Sequence, residues 1–427
     1  MKVKIKKWGI NGEGIGYIRK KPVFVQDTIP TELVDIDINK ESDHYFVGKC
    51  KEVIEPSTRR RYPLCKYWES CGGCTSMHVQ YKEQAKMKQQ LLKQALKKYA
   101  NYTDLIQPII KNPNPLGYRN SCKLPLQKVD GKWVAGLYQS DSHTFIPIER
   151  CYIHSKVLEQ TRQEVIRLLN EWDLEDCYSL VMKEFDGKVQ VILVTGNIDI
   201  PKELVQAWMD ISEVVSVVQS IKTTADHELF GKEMKVLSGQ ETMQLEINGL
   251  TLELLPESFF QLNTQQAKQL YTFVANQIQP VDTLVEAYCG VGAIGLSVAS
   301  KAKKVIGIEY NEQAILNASD NAKNNEITNA EFIAGDAGQV FGQLKENVDT
   351  LIVDPPRSGL DTVMIDAILL KEPKNIVYVS CNPSTLAKNF SVLQKKYSIE
   401  CIQPFDMFSQ TAHVETVVMM SRDGSRQ

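Results

Sequence analysis

No stretch of this chain approaches the ~20 consecutive apolar residues that a membrane-spanning helix requires, and no internal repeat or low-complexity tract interrupts it. The N-terminus, MKVKIKKWGI, has charge but no apolar run after it, so a secretory signal is missing and a cytoplasmic address is expected. A strong net charge is missing too. Lys and Arg number 49 against 52 Asp and Glu, a formal balance of −3, which gives no global pull toward nucleic acid and requires any RNA surface to be local. Two local candidates exist: the lysine-rich run from Lys82 to Lys98 and the triplet Arg59, Arg60, Arg61. A solvated helix face explains such a run equally well. Otherwise the composition is that of a globular protein, and 427 residues exceed the ~250 to 300 at which single cores stop growing, so two or three domains are expected.

Residues 1–58 read as short strands (VKIKKW, GYIRKKPVFVQ, LVDIDIN, YFVGKCKEVIE) separated by Gly, Pro and acidic turns, the pattern of a small β-barrel. Such barrels commonly bind oligonucleotides or serve as packing modules. Residues 59–254 open with a cysteine cluster and a helix over Tyr81 to Tyr99. They continue as strand-like runs with one amphipathic helix near Lys156 to Trp172, a central α+β domain. From 255 to 427 strands and helices alternate, beginning with a helix at Thr264 to Gln277, which implies a doubly wound parallel sheet.

In such a sheet ligands bind beyond the C-terminal strand ends. The first of these is LVEAYCGVGAIGL, where Gly290 and Gly292 permit a tight turn and close backbone approach. VIGIEY then places Glu309 about 20 residues on, suited to the two hydroxyls of a ribose. The glycine spacing also matches a dinucleotide-binding loop, but Glu286 before it and Asp336 after it fit an adenosyl pocket with no pyrophosphate to cradle.

A third strand end, LIVDPPRSGL, carries Asp354, and the next, IVYVSCNPSTLAKN, carries Cys381. An isolated cysteine after a strand is usually a core residue; beside two ligand-binding strand ends it reads as a nucleophile. Uracil C5 is a poor nucleophile until a thiolate adds to C6 and converts the C5=C6 bond into an enolate that can attack an electrophilic methyl. The C5 proton must then leave, which requires a base. Glu415 in MFSQTAHVETVVMM is the candidate, as an acid entering an apolar strand where burial raises its pKa. His413 is the competitor, and strict alternation puts both on one strand face.

Ten cysteines in a reducing compartment suggest metal binding or catalysis rather than crosslinks. Cys65, Cys71, Gly72, Gly73 and Cys74 offer three thiolates on one loop, and Cys151 can supply a fourth. Four thiolates suit zinc or an iron-sulfur cluster. The three-plus-one spacing departs from the paired C-x2-C units of zinc knuckles. Cys50, Cys122, Cys177, Cys289 and Cys401 read as ordinary buried residues.

Taken in order, CGGC, SFFQLN, EAYCGVGAIGL, DPPRSGL, SCNPSTLAKN and HVETVV resemble the bacterial RNA uracil-5-methyltransferase family over nearly the whole chain, and NGEGIGYIRKKPVFV resembles a TRAM domain, an OB-like RNA-binding module. The resemblance implies S-adenosylmethionine as methyl donor, Cys381 as nucleophile and Glu415 as base. It implies Gln261, Tyr288, Glu309 and Asp354 as cofactor contacts, and Cys65, Cys71, Cys74 and Cys151 as ligands of a 4Fe-4S cluster. One departure is Ala293, where some members carry an asparagine that can hydrogen-bond the cofactor. The implied substrate is a uridine in 23S rRNA, with the T-loop of transfer RNA as alternative, extruded from its stack to expose C6. Phe259 and Phe260 could stack on bases but read as core. A monomer is the default. The rivals are an exocyclic-amine RNA methyltransferase, an iron-sulfur redox protein binding a dinucleotide, and an RNA-binding scaffold without turnover.

Overall fold

The computed structural model describes residues 1–139 and 142–422. Its chain forms two compact units, one of Met1–Pro115, Pro355–Asp361 and the chain from Tyr378 onward, the other of Leu116–Asp354 and Thr362–Val377. Among the described residues no helix is long and apolar enough to cross a membrane.

The first unit begins with a six-stranded sheet in the order Lys2–Lys4, Leu33–Glu41, Phe46–Glu55, Lys21–Val25, Gly14–Ile18, Lys7–Trp8. Alternation along these strands turns Val3, Val23, Val25, Val34 and Ile36 inward to a small apolar core. Gly16 is required where the sheet curls on itself, because a Cβ there would come within 2.3 Å of Val3. This is the N-terminal barrel expected from the sequence.

Beyond it lies the Tyr81–Ala100 helix, whose Ala85, Met87, Leu91, Leu92, Ala95 and Leu96 are buried at helical spacing. The unit's C-terminal part is the helix Pro383–Leu393 and an antiparallel hairpin of Tyr397–Phe405 with Glu415–Arg422, in register Phe405 opposite Glu415. Residues 107–110 dock along this hairpin through Gln107 N to Ile402 O (3.0 Å) and Ile110 N to Pro404 O (2.9 Å).

The second unit contains a seven-stranded, mainly antiparallel sheet spanning residues 121–239. Its one parallel pair, Lys188–Thr195 with Val214–Ile221, is joined by the helix Lys202–Met209. That helix and Lys156–Leu169 cover an apolar core that includes Leu180, Leu193, Trp208 and Val217. This is the expected α+β region, with Lys202–Met209 as a helix that its eight residues made too short to stand out. After a hairpin, Met243–Ile247 with Leu250–Leu254, comes a parallel sheet in the order Ala330–Ala334, Ala302–Glu309, Val281–Ala287, Thr350–Val353. Leu284, Val285, Leu351, Ile352 and Val353 are fully buried, as parallel strands covered on both faces must be. The chain passes between the units at Pro115–Leu116, Asp354–Pro355, Asp361–Thr362 and, within the strand Asn375–Ser380, at Val377–Tyr378.

Candidate functional site

In the second unit the turn after Val281–Ala287 is built from left-handed residues: Tyr288 at φ 63°, Gly290 at 52° and Gly292 at 80°. A Cβ on Gly290 would meet nothing within 4 Å, so this backbone faces open space. Gly290 N donates to Glu309 Oε2 (3.1 Å) and Asn311 N to Glu309 Oε1 (3.0 Å). A carboxylate has about four acceptor positions, so two remain for ribose hydroxyls. Tyr310, 80 % exposed beside Glu309, is an aromatic surface that sequence reading passed over.

Glu286 has another role than the one its position suggested. It is buried and accepts from Gly295 N (2.8 Å), closing the turn from inside. Burial, and then the negative charges of Asp354 and Glu309, push its carboxyl up to about 8. Asp354, at the end of Thr350–Val353, is raised by desolvation to about 6. Asp336 caps the helix Ala337–Gln343 by accepting from Gln339 N (2.9 Å). Glu286 thus keeps its proton beside two negative charges, those of Glu309 and Asp354, which it feels around the turn. That field suits a cationic ligand such as a sulfonium and opposes a pyrophosphate.

Gln261 is buried in a loop held by two side chains with no signature in the sequence. Asn120 Nδ2 donates to Gln261 O (3.0 Å) and to Thr264 Oγ1 (2.8 Å). Lys183 Nζ donates to Leu255 O (3.0 Å) and Ser258 O (2.7 Å), and burial lowers its pKa to about 7. Phe259, expected in the core, is 70 % exposed, whereas Phe260 is buried against Phe185 and Tyr271.

In the first unit Cys381 is half-buried directly after Asn375–Ser380 and two residues before the helix Pro383–Leu393. Its flanks are fixed. Asn382 N donates to Ser380 Oγ (3.2 Å), Asn382 Oδ1 caps the helix by accepting from Ser384 N (3.0 Å), and Asn382 Nδ2 reaches Arg357 O (3.2 Å). Asn389 then bridges the Arg357–Leu360 turn to the strand, taking Leu360 N (2.9 Å) and Tyr378 OH (2.8 Å) and donating to Leu360 O (3.0 Å).

Glu415, only 3 % exposed, is the first residue of Glu415–Arg422. The expected sharing of one strand face with His413 does not hold. His413 precedes the strand and is exposed, because the backbone before Glu415 runs as a loop tied to other partners. Partial desolvation, Arg357 and Lys88 lower its imidazole to about 4. The loop from Asp406 to Ala412 is itself almost wholly buried.

Neither basic patch survives intact. Arg60 forms a bidentate pair with fully buried Glu32 (2.6 and 2.7 Å), and Arg61 donates to Met77 O (2.8 Å) and Gln410 Oε1 (2.7 Å). Lys88 is fully buried against Asp406. These side chains act inside the fold.

The cysteine loop contains a one-turn helix, Trp68–Cys71, ended by Gly72 at φ 68°, with Trp68 Nε1 donating to Cys74 O (2.9 Å). Cys65, Cys71 and Cys74 are half-buried. Behind the loop His78 is fully buried against Trp68 (ring centroids 5.1 Å). Among the described residues neither of its nitrogens nor Ser76 Oγ has a hydrogen-bond partner. In the second unit burial would raise the Cys151 thiol, but a hydrogen bond and charge from His154 bring it below its ordinary value. The thiol donors are soft and suited to iron or zinc. Among the described residues, however, no three His, Cys, Asp or Glu side chains come together so as to hold a metal ion. Cys50 and Cys401, expected buried, are half-buried; Cys122, Cys177 and Cys289 are buried.

Residues 80–423 match the family model described as tRNA (uracil-5-)-methyltransferase, and residues 1–50 match the TRAM domain. A protein of Enterococcus faecalis called an uncharacterized RNA methyltransferase is 37 % identical, with 98 % of this chain and 97 % of that protein covered. One of the same description from Lactiplantibacillus plantarum is also 37 % identical, over 98 % and 92 %. The crystal structure of the Pyrococcus abyssi tRNA (uracil-54, C5)-methyltransferase in complex with S-adenosyl-L-homocysteine has the same fold, with TM-score 0.78, 24 % identity, and 98 % and 100 % of the two chains covered.

Proposed function

This chain belongs to the tRNA (uracil-5-)-methyltransferase family of S-adenosylmethionine-dependent RNA methyltransferases, and from that premise we propose that it methylates C5 of a uridine in 23S rRNA through Cys381 and Glu415. The Cys381 thiolate forms a bond to C6, and the C5=C6 electrons pass into an enolate. C5 then takes the methyl from the sulfonium, and S-adenosylhomocysteine departs. Glu415 removes the C5 proton, and the electrons of that bond restore C5=C6 as the thiolate is expelled. Atoms and charge balance without a redox partner.

The observation that carries this reading is the setting of Cys381, at the tip of a loop whose two flanks are tied by Ser380, Asn382 and Asn389. A core cysteine needs no such bracing; a nucleophile that must meet one ring carbon does. Glu415, in a buried position at a strand start, is the matching base. On the cofactor side Glu309 would take the ribose hydroxyls. Asp354, Tyr288 and Gln261 would contact the rest of S-adenosylmethionine, whose positive charge suits the carboxylates around Gly290. Cofactor binding is assigned to residues 255–427 and RNA binding to 1–58 and 59–254.

Cys65, Cys71, Cys74 and Cys151 are proposed as ligands of a 4Fe-4S cluster on their donor chemistry, and no step of the methyl transfer passes through it. Iron and sulfide content after anaerobic purification tests this, with loss of both expected in Cys71→Ala.

A T-loop uridine of transfer RNA is the second reading, favoured by the description of the family model. Incubation with labelled S-adenosylmethionine and unmodified 23S rRNA or transfer RNA, followed by nucleoside analysis, decides between them. Label in 5-methyluridine names the RNA; label on an exocyclic nitrogen would end the proposal.

A further inference from the structure

The loop that precedes Glu415 is unusual in being buried without regular structure, since a buried loop must find partners for all its polar groups. Two groups of partners do most of this. The first is one face of the Tyr81–Ala100 helix, where Tyr81, Gln84 and Lys88 recur at helical spacing. Tyr81 OH and Lys88 Nζ both donate to Asp406 (2.7 and 2.5 Å), and Gln84 Nε2 donates to Gln410 Oε1 (2.9 Å) while its own Oε1 accepts from Gln410 N (3.0 Å).

The second is the segment leaving the cysteine loop. Ser76 N donates to Gln410 O (2.9 Å), and Ala412 N donates to Thr75 Oγ1 (3.3 Å). Arg61 Nη2 adds a bond to Gln410 Oε1 (2.7 Å), and Gln410 Nε2 reaches Pro115 O (3.0 Å). Gln410 is also held at φ 69°, a left-handed conformation that a glutamine adopts only when its surroundings impose it.

We propose that Gln410 and its partners Thr75, Gln84 and Arg61 are positioning residues for Glu415, fixing the loop that sets the base against the C5 proton. The inference rests on the reading of Glu415 as base. Gln410 lies five residues before Glu415 and Ala412 three before it, so a shift of this anchor is carried directly to the carboxylate. None of the four touches the reacting atoms. Their effect falls on the last step, proton removal and release of Cys381, and not on thiolate addition or methyl transfer.

That selectivity makes the proposal testable. Gln410→Gly keeps the left-handed backbone at no strain and removes the whole side chain with its amide; Thr75→Val, at a half-buried position, removes only the hydroxyl that accepts from Ala412 N and is the milder second variant should the first fail to fold. Each is incubated with labelled S-adenosylmethionine and transcripts of 23S rRNA and transfer RNA, made with uridine or with 5-fluorouridine. The fluorinated base has no C5 proton to lose, so the wild type is trapped on it as a denaturant-stable adduct. With uridine RNA the variants are expected to turn over about 10- to 100-fold more slowly and to accumulate a labelled denaturant-stable adduct that the wild type does not. Their adduct with 5-fluorouridine RNA is expected to match the wild type. Slow turnover without accumulation, a reduced 5-fluorouridine adduct, or unchanged turnover would overturn the positioning role. Absence of the 5-fluorouridine adduct in the wild type would instead overturn the covalent mechanism itself.

Discussion

Lys88 Nζ and Asp406 Oδ1 lie 2.5 Å apart with neither side chain reached by solvent, joining the middle of a helix to the loop before Glu415. The ammonium also donates to Phe408 O (2.8 Å), and the Tyr81 and Ser409 hydroxyls donate to the second carboxylate oxygen, Asp406 Oδ2 (2.7 and 2.8 Å). A buried pair so fully hydrogen-bonded is costly to break from one side, because the remaining charge has no water to turn to.

Lys88→Met is therefore expected to lower the free energy of unfolding by about 3–5 kcal/mol, measured from urea transitions. Adding Asp406→Leu should restore most of the loss, leaving about 1–3 kcal/mol for hydroxyls deprived of their acceptor. A single-variant loss under about 1 kcal/mol would mean that the ammonium reaches solvent, against the burial seen here.

Glu415→Gln should reduce kcat by about 10²- to 10⁴-fold, the range for loss of a general base, with the protein still folded by circular dichroism. His413→Gln should stay within a few-fold of the wild type. Because the His413 imidazole is lowered to about 4, a rate governed by it would titrate near that pH. A profile whose acid limb disappears in His413→Gln would transfer the base role to the histidine.

Cys381→Ala is expected to abolish both turnover and the denaturant-stable adduct with 5-fluorouridine RNA, while leaving the melting temperature within a degree or two of the wild type, since the residue is half-buried. Retained methylation would return Cys381 to an ordinary structural role.

Glu286 makes stability depend on pH. Its carboxyl is raised from 4.5 to about 8, so between those values the unfolded chain has released a proton that the folded chain keeps. Stability is then present in full below about 4.5 and declines as pH rises through 8. Glu286→Gln cannot ionise and keeps an oxygen for Gly295 N. Thermal melts should show it gaining on the wild type from pH 5 to pH 8 and holding that lead at pH 9. A lead that does not vary with pH would place the proton elsewhere.

Much of this protein is legible along the chain because its signals are local. The barrel and the Tyr81–Ala100 helix follow from periods of two and 3.6 residues, and the parallel sheet from apolar strands alternating with helices. The strand end before Gly290 and Gly292 and those bearing Asp354 and Cys381 announce themselves through the glycines and prolines that follow them, which a turn requires. Side-chain direction is a different matter. Lys88 and Arg60 look in sequence like any solvent-facing charge. Only the folded chain brings Asp406 to the one, 318 residues away, and Glu32 to the other, 28 residues away. His413 and Glu415 likewise separate only because the Asp406–Ala412 loop finds its hydrogen bonds in Thr75, Ser76 and Gln84. The amino-acid sequence by itself determined the elements and the reactive residue types. Tertiary structure decided which polar groups face inward, since that depends on partners distant in the chain and on the cost of burying any of them unpaired.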